Sequence, residues 1–182
     1  NNMNNDSLNK ILKGQANTKV NLKVKRYGEN NLLDFEINRN VVNLISVDTG
    51  YMVNDTLGYI KINRFAESTY QEFKLKMTEF ATPQLNSVVL DLRNNGGGFL
   101  KQATTILDEF IADGKLLLFT KNKNGDINET YSTNLGDYED KKLYVLIDEK
   151  SASASEIVAG AIQDNDRGTI IGRRSFGKGL VQ

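Results

Sequence analysis

Apolar residues recur with two different periods along this chain, and the change of period divides it. At positions 20–24 and 33–37 every second residue is apolar, and a glycine-containing stretch lies between the two segments. Alternation of this kind is typical of half-buried strands, so the two segments predict a β-hairpin. A short helix over 7–14 is predicted before the hairpin, because helices often end on a glycine such as Gly14.

From Gly58 onwards the pattern is one of buried strands alternating with amphipathic helices. Apolar runs predict strands over 58–62, 87–92, 116–119, 143–147 and 169–172. Apolar residues at helical spacing predict helices over 69–80, 100–111 and 157–163. Thr69 with Glu72 fits a capping box at the start of the first of these helices. The alternation predicts a layered α/β core.

The division of the chain follows from its composition, which changes between about Val47 and Gly58. Residues 1 to about 47 thus form one α/β piece, and for the two units we expect the bounds 1–43 and 44–182. The opening Asn-Asn-Met does not look like a natural start, and the sequence stops abruptly at Gln182. Both features indicate a piece of a longer protein.

Composition also limits the chemistry that the chain can perform. The 182 residues include no His and no Cys, which excludes the Ser-His-Asp triad, the Cys-His dyad and zinc sites built from thiolate or imidazole. Lys and Arg together number 23, as do Asp and Glu, and this zero balance gives no support for nucleic acid as a partner. No apolar run reaches the length of a membrane span. Hydrolysis would have to use carboxylates, a lysine or an oxygen-bound metal, and no acidic cluster has the spacing of a metal cage.

Three segments carry small residues or glycine directly after predicted buried strands. They are residues 94–98, 151–156 and 177–182. Strand ends of an α/β sheet meet at one edge, so we expect a site there. A serine of the second segment could use the N–H groups of the following helix to stabilise an oxyanion. These serines could equally be ordinary helix N-caps.

Lys178 is the candidate base for such a serine. A lysine removes a serine proton at neutral pH only when its pKa is lowered, as burial in an apolar pocket does, and the alternative is a solvated lysine on a loop. The stretch from Gly172 to Gly179 also fits most of a phosphate-binding P-loop. Gly179 occupies the place of the Ser or Thr that binds Mg²⁺, which argues against nucleotide binding.

The glycine loop Asn94–Gly98 has two interpretations. Its backbone N–H groups could serve an oxyanion, because glycine allows a carbonyl to approach closely, or the loop could be a tight structural turn. Asp91 and Arg93 flank it. We predict that these two form a buried pair that shapes the loop, rather than a catalytic carboxylate and its partner.

Four segments, taken in order, resemble the signature blocks of the C-terminal processing peptidases, also called tail-specific proteases. The blocks are Gly58-Tyr-Ile-Lys-Ile, Leu90-Asp-Leu-Arg-Asn-Asn-Gly-Gly-Gly, Ser151-Ala-Ser-Ala-Ser-Glu and Ser175-Phe-Gly-Lys-Gly-x-Val-Gln182. The resemblance covers residues from about Val47 to the end. It implies an α/β (α+β layered) peptidase core of the ClpP/crotonase-like type, preceded over 1–43 by a partial PDZ-like α/β piece.

The resemblance also implies a serine/lysine dyad. Ser153 would be the nucleophile, Lys178 the base and Gln182 a helper that orients the amine. The spacing between the serine and lysine blocks is similar to that of the family and favours Ser153 over Ser151 and Ser155.

The other implied features are an oxyanion hole and a type of substrate. Ala154 and one of the loop glycines, Gly97 or Gly98, would donate their backbone N–H groups to the oxyanion. The substrates would be proteins or peptides cleaved at or near their C-terminal tails, with no metal or cofactor. The resemblance further implies export to the bacterial periplasm or cell envelope. A catalytically silent binding module with the same fold is the alternative, and the intact Ser153, Lys178 and Gln182 count against it.

Overall fold

The chain divides into two compact units, Asn1–Leu44 and Ile45–Gln182. The computed structural model describes residues 4–41, 45–133 and 136–180. Within these ranges, no helix combines the length and the apolar character needed to cross a membrane.

The first unit consists of a helix and the predicted β-hairpin. Its elements are α1 (Asn5–Leu12), β1 (Lys19–Val24) and β2 (Leu33–Asn38), and the two strands are antiparallel. Arg39 fastens the helix to the hairpin, because its guanidinium donates to the carbonyl of Leu12 at 2.9 Å and to the hydroxyl of Thr18 at 3.0 Å. The assignment of this unit to a PDZ domain stays a prediction.

In its described residues, the second unit contains seven strands and three helices. The strands are β3 (Thr49–Met52), β4 (Leu57–Lys61), β5 (Ser87–Asp91), β6 (Leu116–Lys121), β7 (Ile127–Tyr131), β8 (Lys142–Ile147) and β9 (Thr169–Gly172). The helices are α2 (Thr69–Phe80), α3 (Leu100–Asp108) and α4 (Ala154–Asp164). The predicted strands and helices are therefore present, and β3 and β7 are additional.

A five-stranded sheet with the order β3-β4-β5-β8-β9 forms the centre of this unit. β3 is antiparallel to β4, and the other four strands are parallel to one another. β6 and β7 form a separate antiparallel hairpin. The helices cover the sheet with side chains that are fully buried, such as Phe73, Met77, Ile106 and Ile162. Burial of each such side chain stabilises the fold by about 1.5–3 kcal/mol. The arrangement is the predicted layered α/β core.

The predicted capping box at the start of α2 is wrong. Ser68 occupies the N-cap position, and Thr69 is the first residue of the helix. The Glu72 carboxylate accepts hydrogen bonds from the backbone N–H groups of Ser46 and Val47, at 2.6 and 2.9 Å. These donors lie more than twenty residues away in sequence, so the local pattern could not indicate them. The carboxylate therefore ties α2 to the beginning of the second unit.

Candidate active site

The three segments selected from the sequence meet at one edge of the sheet. The glycine loop follows β5, the serine segment 151–156 follows β8, and the third segment, of which residues 177–180 are described, follows β9 after a short connection over 173–176. Because these strands are parallel, their carboxyl ends lie at the same edge. Ala152 N–H donates to the Asn95 carbonyl and Phe176 N–H donates to the Ser151 carbonyl, both at 3.0 Å. The serine segment is thus bonded to both of its neighbours.

Ser153 occupies a strained turn where this segment enters helix α4. It is the N-cap residue, with φ 55° and ψ −114°. A residue other than glycine in this left-handed region costs of order 1–3 kcal/mol, and such strain is concentrated at functional sites. A sharp strand-to-helix turn presents its central side chain above the helix N-terminus, where the free N–H groups and the helix dipole favour negative charge.

The three serines of the segment have different environments. Ser151 and Ser155 are fully buried, whereas Ser153 is partly exposed. Ser151 Oγ donates to the Leu92 carbonyl at 2.8 Å, and Ser155 Oγ donates to the Asn95 carbonyl at 2.9 Å. Both buried hydroxyls therefore attach the serine segment to the loop after β5. Ser153 alone of the three has a side chain that reaches solvent.

The glycine loop lies directly against Ser153. A Cβ atom added to Gly97 would be 2.6 Å from the Ala152 carbonyl oxygen, 2.8 Å from Ser153 Cβ and 3.0 Å from Ala154 N. Gly97 also has a φ of +95°, which favours glycine. No side chain fits at this position, so the backbone of the loop comes into contact with the serine turn and with the first N–H of α4.

The N–H groups of Gly97 and Gly98 point in different directions. Gly97 N–H donates to Asn95 Oδ1 at 2.9 Å, within the loop. The carbonyl of Gly97 accepts from Phe65 N–H at 3.0 Å. The peptide bond between the two glycines is trans, so Gly98 N–H points opposite to that carbonyl and away from Phe65. Gly97 N–H is therefore occupied inside the loop, whereas Gly98 N–H faces the other side.

Glu156 joins the serine segment to the segment that carries the lysine. Its carboxylate accepts from Ser153 N–H at 2.8 Å, Ser175 Oγ at 2.8 Å, Gly177 N–H at 2.6 Å and Lys178 N–H at 2.8 Å. Burial raises the pKa of the Glu156 carboxyl, but these hydrogen bonds outweigh burial and hold the pKa below its ordinary value. The sequence interpretation assigned no role to Glu156. Its one local signal is the spacing Ser-x-x-Glu, which is that of a capping box.

The structure places the Lys178 backbone close to the serine turn and leaves its side chain in solvent. The Lys178 backbone is held beside Ser153 through the Glu156 carboxylate that both residues share. The Lys178 side chain is exposed, so the apolar enclosure expected for a lysine base is not formed by the part of the chain that the structure describes. Gln182 lies outside the described residues.

Asp91 and Arg93 form an ion pair at the start of the glycine loop, as predicted, but only Asp91 is buried, because the Arg93 side chain is 49% exposed. Asp91 is fully buried, and its carboxylate accepts from the Arg93 guanidinium and the Tyr59 hydroxyl, each at 2.6 Å. Burial raises the pKa of Asp91, but the hydrogen bonds from Arg93 and Tyr59 outweigh it and lower the pKa to about 2. Burial and the same hydrogen bond raise the pKa of Tyr59 to about 12. The carboxylate is committed to the loop and is not free to act on a substrate.

Comparison with known proteins identifies the family of this chain. The model of peptidase family S41 matches residues 56–182. The chain is 39% identical over 176 residues to the carboxy-terminal-processing protease of Bartonella bacilliformis, an alignment that covers 94% of this chain and 40% of that protein. It is 33% identical over 174 residues to the carboxyl-terminal-processing protease of Synechocystis sp., again covering 94% of this chain and 40% of the relative.

A solved structure shows the same fold. The photosystem II D1 C-terminal processing protease superposes with a TM-score of 0.69 at 27% identity, over 93% of this chain and 47% of that one. The chain thus spans less than half the length of each of these relatives. Because the family model matches residues 56–182, which is well over half of the chain, the chain belongs to peptidase family S41, the family of the C-terminal processing proteases.

Proposed function

We propose that the protein is a serine endopeptidase that cleaves protein substrates at or near their C-terminal tails. Ser153 is the nucleophile and Lys178 is the base. The observation that carries this proposal is the strained, partly exposed Ser153 at the N-terminus of α4, with the glycine loop in contact with it. Membership of the family supports the type of reaction, and the names of the relatives support the substrate class.

In the proposed reaction, neutral Lys178 takes the proton of Ser153 Oγ while that oxygen attacks the carbonyl carbon of the scissile peptide bond. The carbonyl π electrons move to the oxygen and form an oxyanion. When the tetrahedral intermediate collapses, the C–N bond breaks and the lysine returns its proton to the leaving amine. Water then attacks the acyl-enzyme by the same route and releases Ser153. No metal or cofactor takes part.

We propose that the oxyanion is bound by the N–H groups of Ala154 and Gly98. Ala154 begins helix α4, so its N–H is one of the free donors at the positive end of the helix. Gly98 is preferred to Gly97 because the Gly97 N–H already donates to Asn95. In this proposal Gly97 has a different task, which is to let the loop approach Ser153 without a side chain.

The exposed Lys178 side chain has to lose its water before it can act as a base. A polypeptide bound across the serine turn would cover the amine, and desolvation lowers the pKa of an amine. The flanking residues Gly177 and Gly179 allow the side chain to turn toward Ser153, and Gly177 already has a φ of +90°. We propose Gln182 as the residue that orients the amine, on the family resemblance alone.

The experiment that tests the proposal uses Ser153→Ala and Lys178→Ala in the purified protein, with cleavage of a denatured protein as the assay. We expect kcat to fall by at least about 10³-fold in each variant. Ser68→Ala is the matched control, because Ser68 is also a helix N-cap serine but belongs to α2. Cleavage at the wild-type rate by both active-site variants would show that the dyad is wrong. Absence of cleavage by the wild type itself would instead favour the alternative, a catalytically silent binding module.

The P-loop alternative has an observation against it. The Gly177 and Lys178 N–H groups, which would have to face a phosphate, donate instead to the Glu156 carboxylate. A nucleotide phosphate would have to displace the Glu156 carboxylate, and the same hydrogen bonds that lower the pKa of this group stabilise it in place. We expect no heat change when ATP is titrated into the protein, and a saturable signal would reopen this alternative.

We also propose that the protein acts outside the cytoplasm, in the periplasm or cell envelope of a bacterium. This location rests on the family resemblance. Fractionation of the source cells, with an antibody against the protein, tests it.

A further inference from the structure

We infer that Asn95 is a positioning residue for the oxyanion hole. This inference rests on the proposed function, and it concerns a residue that does not touch the reacting atoms. Asn95 lies in the loop between β5 and α3 and is fully buried. A buried amide is costly to desolvate unless its donors and acceptor are satisfied, so its contacts have structural consequences.

Both ends of the Asn95 side chain are bonded. Nδ2 donates to the Ile62 carbonyl at 2.8 Å, and Oδ1 accepts from Gly97 N–H at 2.9 Å. Its backbone carbonyl accepts from Ser155 Oγ at 2.9 Å and from Ala152 N–H at 3.0 Å. This one residue therefore connects the end of β4, the glycine loop and both flanks of Ser153.

The bond to Gly97 fixes the orientation of the next peptide. While Asn95 holds the Gly97 N–H, the Gly97 carbonyl bonds to Phe65 and the Gly98 N–H is directed away from Phe65. Gly97 is in turn packed so tightly on Ser153 that no added carbon fits. A shift of the loop by less than an ångström would therefore change the distance between an oxyanion and its donor. Misplacement on this scale can lower a rate by about 10²-fold.

The competing interpretation is that Asn95 only stabilises a buried turn. The two roles differ in what they change. A residue with only a structural role alters the fraction of folded protein and leaves the turnover of each folded molecule unchanged. A residue that positions the oxyanion hole lowers kcat in folded protein, leaves KM nearly unchanged, and weakens binding of ligands that form a tetrahedral adduct with the serine.

The test compares Asn95→Ala and Asn95→Asp with the wild type, with kcat and KM expressed per folded molecule. We expect Asn95→Ala to lose about 10- to 100-fold in kcat, because removal of a direct oxyanion donor costs about 10²–10³-fold and Asn95 acts through another residue. Asn95→Asp keeps the acceptor for Gly97 N–H, so it should retain more activity than Asn95→Ala. When ionised, it cannot donate to the Ile62 carbonyl, so it should remain less active than the wild type. The affinity for a peptide aldehyde, whose adduct carries an oxyanion, should fall more in Asn95→Ala than in Asn95→Asp.

Ser132→Ala is the matched control. Ser132 is also buried and bonded at both ends, because its Oγ donates to the Ala112 carbonyl and accepts from Lys115 N–H. It lies after β7, outside the three segments of the site. We expect this variant to lower the urea midpoint while kcat and the aldehyde affinity remain those of the wild type.

The possible failures can be told apart by including Ser153→Ala in the same series. If Ser153→Ala is inactive while both Asn95 variants have wild-type kcat and aldehyde affinity per folded molecule, the inference is wrong and the proposed function stands. If Ser153→Ala cleaves like the wild type, the proposed function fails and the role of Asn95 fails with it.

Discussion

Replacement of Glu156 by glutamine tests whether one carboxylate holds the lysine segment against the serine turn. Each carboxylate oxygen accepts from two donors. Oε1 is bonded to Ser175 Oγ and Gly177 N–H, and Oε2 is bonded to Ser153 N–H and Lys178 N–H. Glutamine has the same shape but only one oxygen. In either orientation of the amide, two of the four donors face an NH₂ group instead of an acceptor.

The magnitude follows from the two hydrogen bonds that are lost. A hydrogen bond to a charged group contributes about 1.5–3 kcal/mol, but Gly177 and Lys178 are exposed, so water can replace the acceptor there. We therefore expect Glu156→Gln to weaken the attachment of the lysine segment by about 1–3 kcal/mol in total. Since about 1.4 kcal/mol corresponds to a factor of ten, the equilibrium constant for attachment falls roughly 5- to 150-fold. The value of kcat/KM should fall by a similar factor.

Two measurements check this prediction. The first is kcat/KM on a peptide substrate, and the second is hydrogen exchange of the backbone amides of Gly177 and Lys178, which should become faster in Glu156→Gln. Glu72→Gln is the control, because Glu72 also lies in the first turn of a helix and accepts from two backbone N–H groups. It should lower stability without changing exchange at 177–178. Wild-type exchange and wild-type kcat/KM in Glu156→Gln would refute the reasoning.

Two further predictions concern the glycine loop. Gly97→Ala should lower kcat by at least about 10²-fold, because its Cβ would displace the loop from Ser153, and active-site titration of folded protein measures this; retention of full activity would contradict the close contact. Asp91→Asn should lower the free energy of unfolding by about 1–3 kcal/mol, because the hydrogen bonds from Arg93 and Tyr59 lose their charged acceptor while the half-exposed Arg93 guanidinium stays in contact with water, and urea denaturation measures this. The pKa of Asp91 is lowered from 3.8 to about 2, so its contribution is fully present above pH 3.8 and is lost as the pH falls through about 2. In Asp91→Asn the acid branch of the stability curve should be shallower over that window, and an unchanged branch would contradict the assignment.

The parts of this fold that could be predicted from sequence are those that depend on local pattern. Apolar runs located β5 and β8 because most residues of these central strands are buried or half-buried, and alternation located the hairpin of the first unit. β3 was missed because its four residues, Thr49–Met52, have no clear period and are strand only through pairing with β4. Glu72 was assigned the wrong partner for a related reason, since its donors lie 25 and 26 residues away in sequence.

The candidate site could be predicted in the same partial way. The resemblance to the family blocks selected Ser153 among the three serines. The structure adds a reason against Ser151 and Ser155, because their hydroxyls are buried and hydrogen-bonded. The roles of Asn95 and Glu156 were not predicted. Apart from Gly97 and Ser153, their partners belong to other segments, such as the Gly177 and Lys178 amides 21 and 22 residues beyond Glu156. A single sequence carries no local signal for contacts of that kind.

The strain at Ser153 explains why these supporting contacts matter. A serine at φ 55° relaxes unless its neighbours hold it, and relaxation would recover about 1–3 kcal/mol. Glu156 holds the Ser153 N–H, and the Asn95 carbonyl holds Ala152 N–H and Ser155 Oγ on either side. The residues that surround the reacting serine thus determine its conformation, and each acts through the backbone. On the proposed function, loss of these supporting contacts should therefore reduce the rate of cleavage by correctly folded protein.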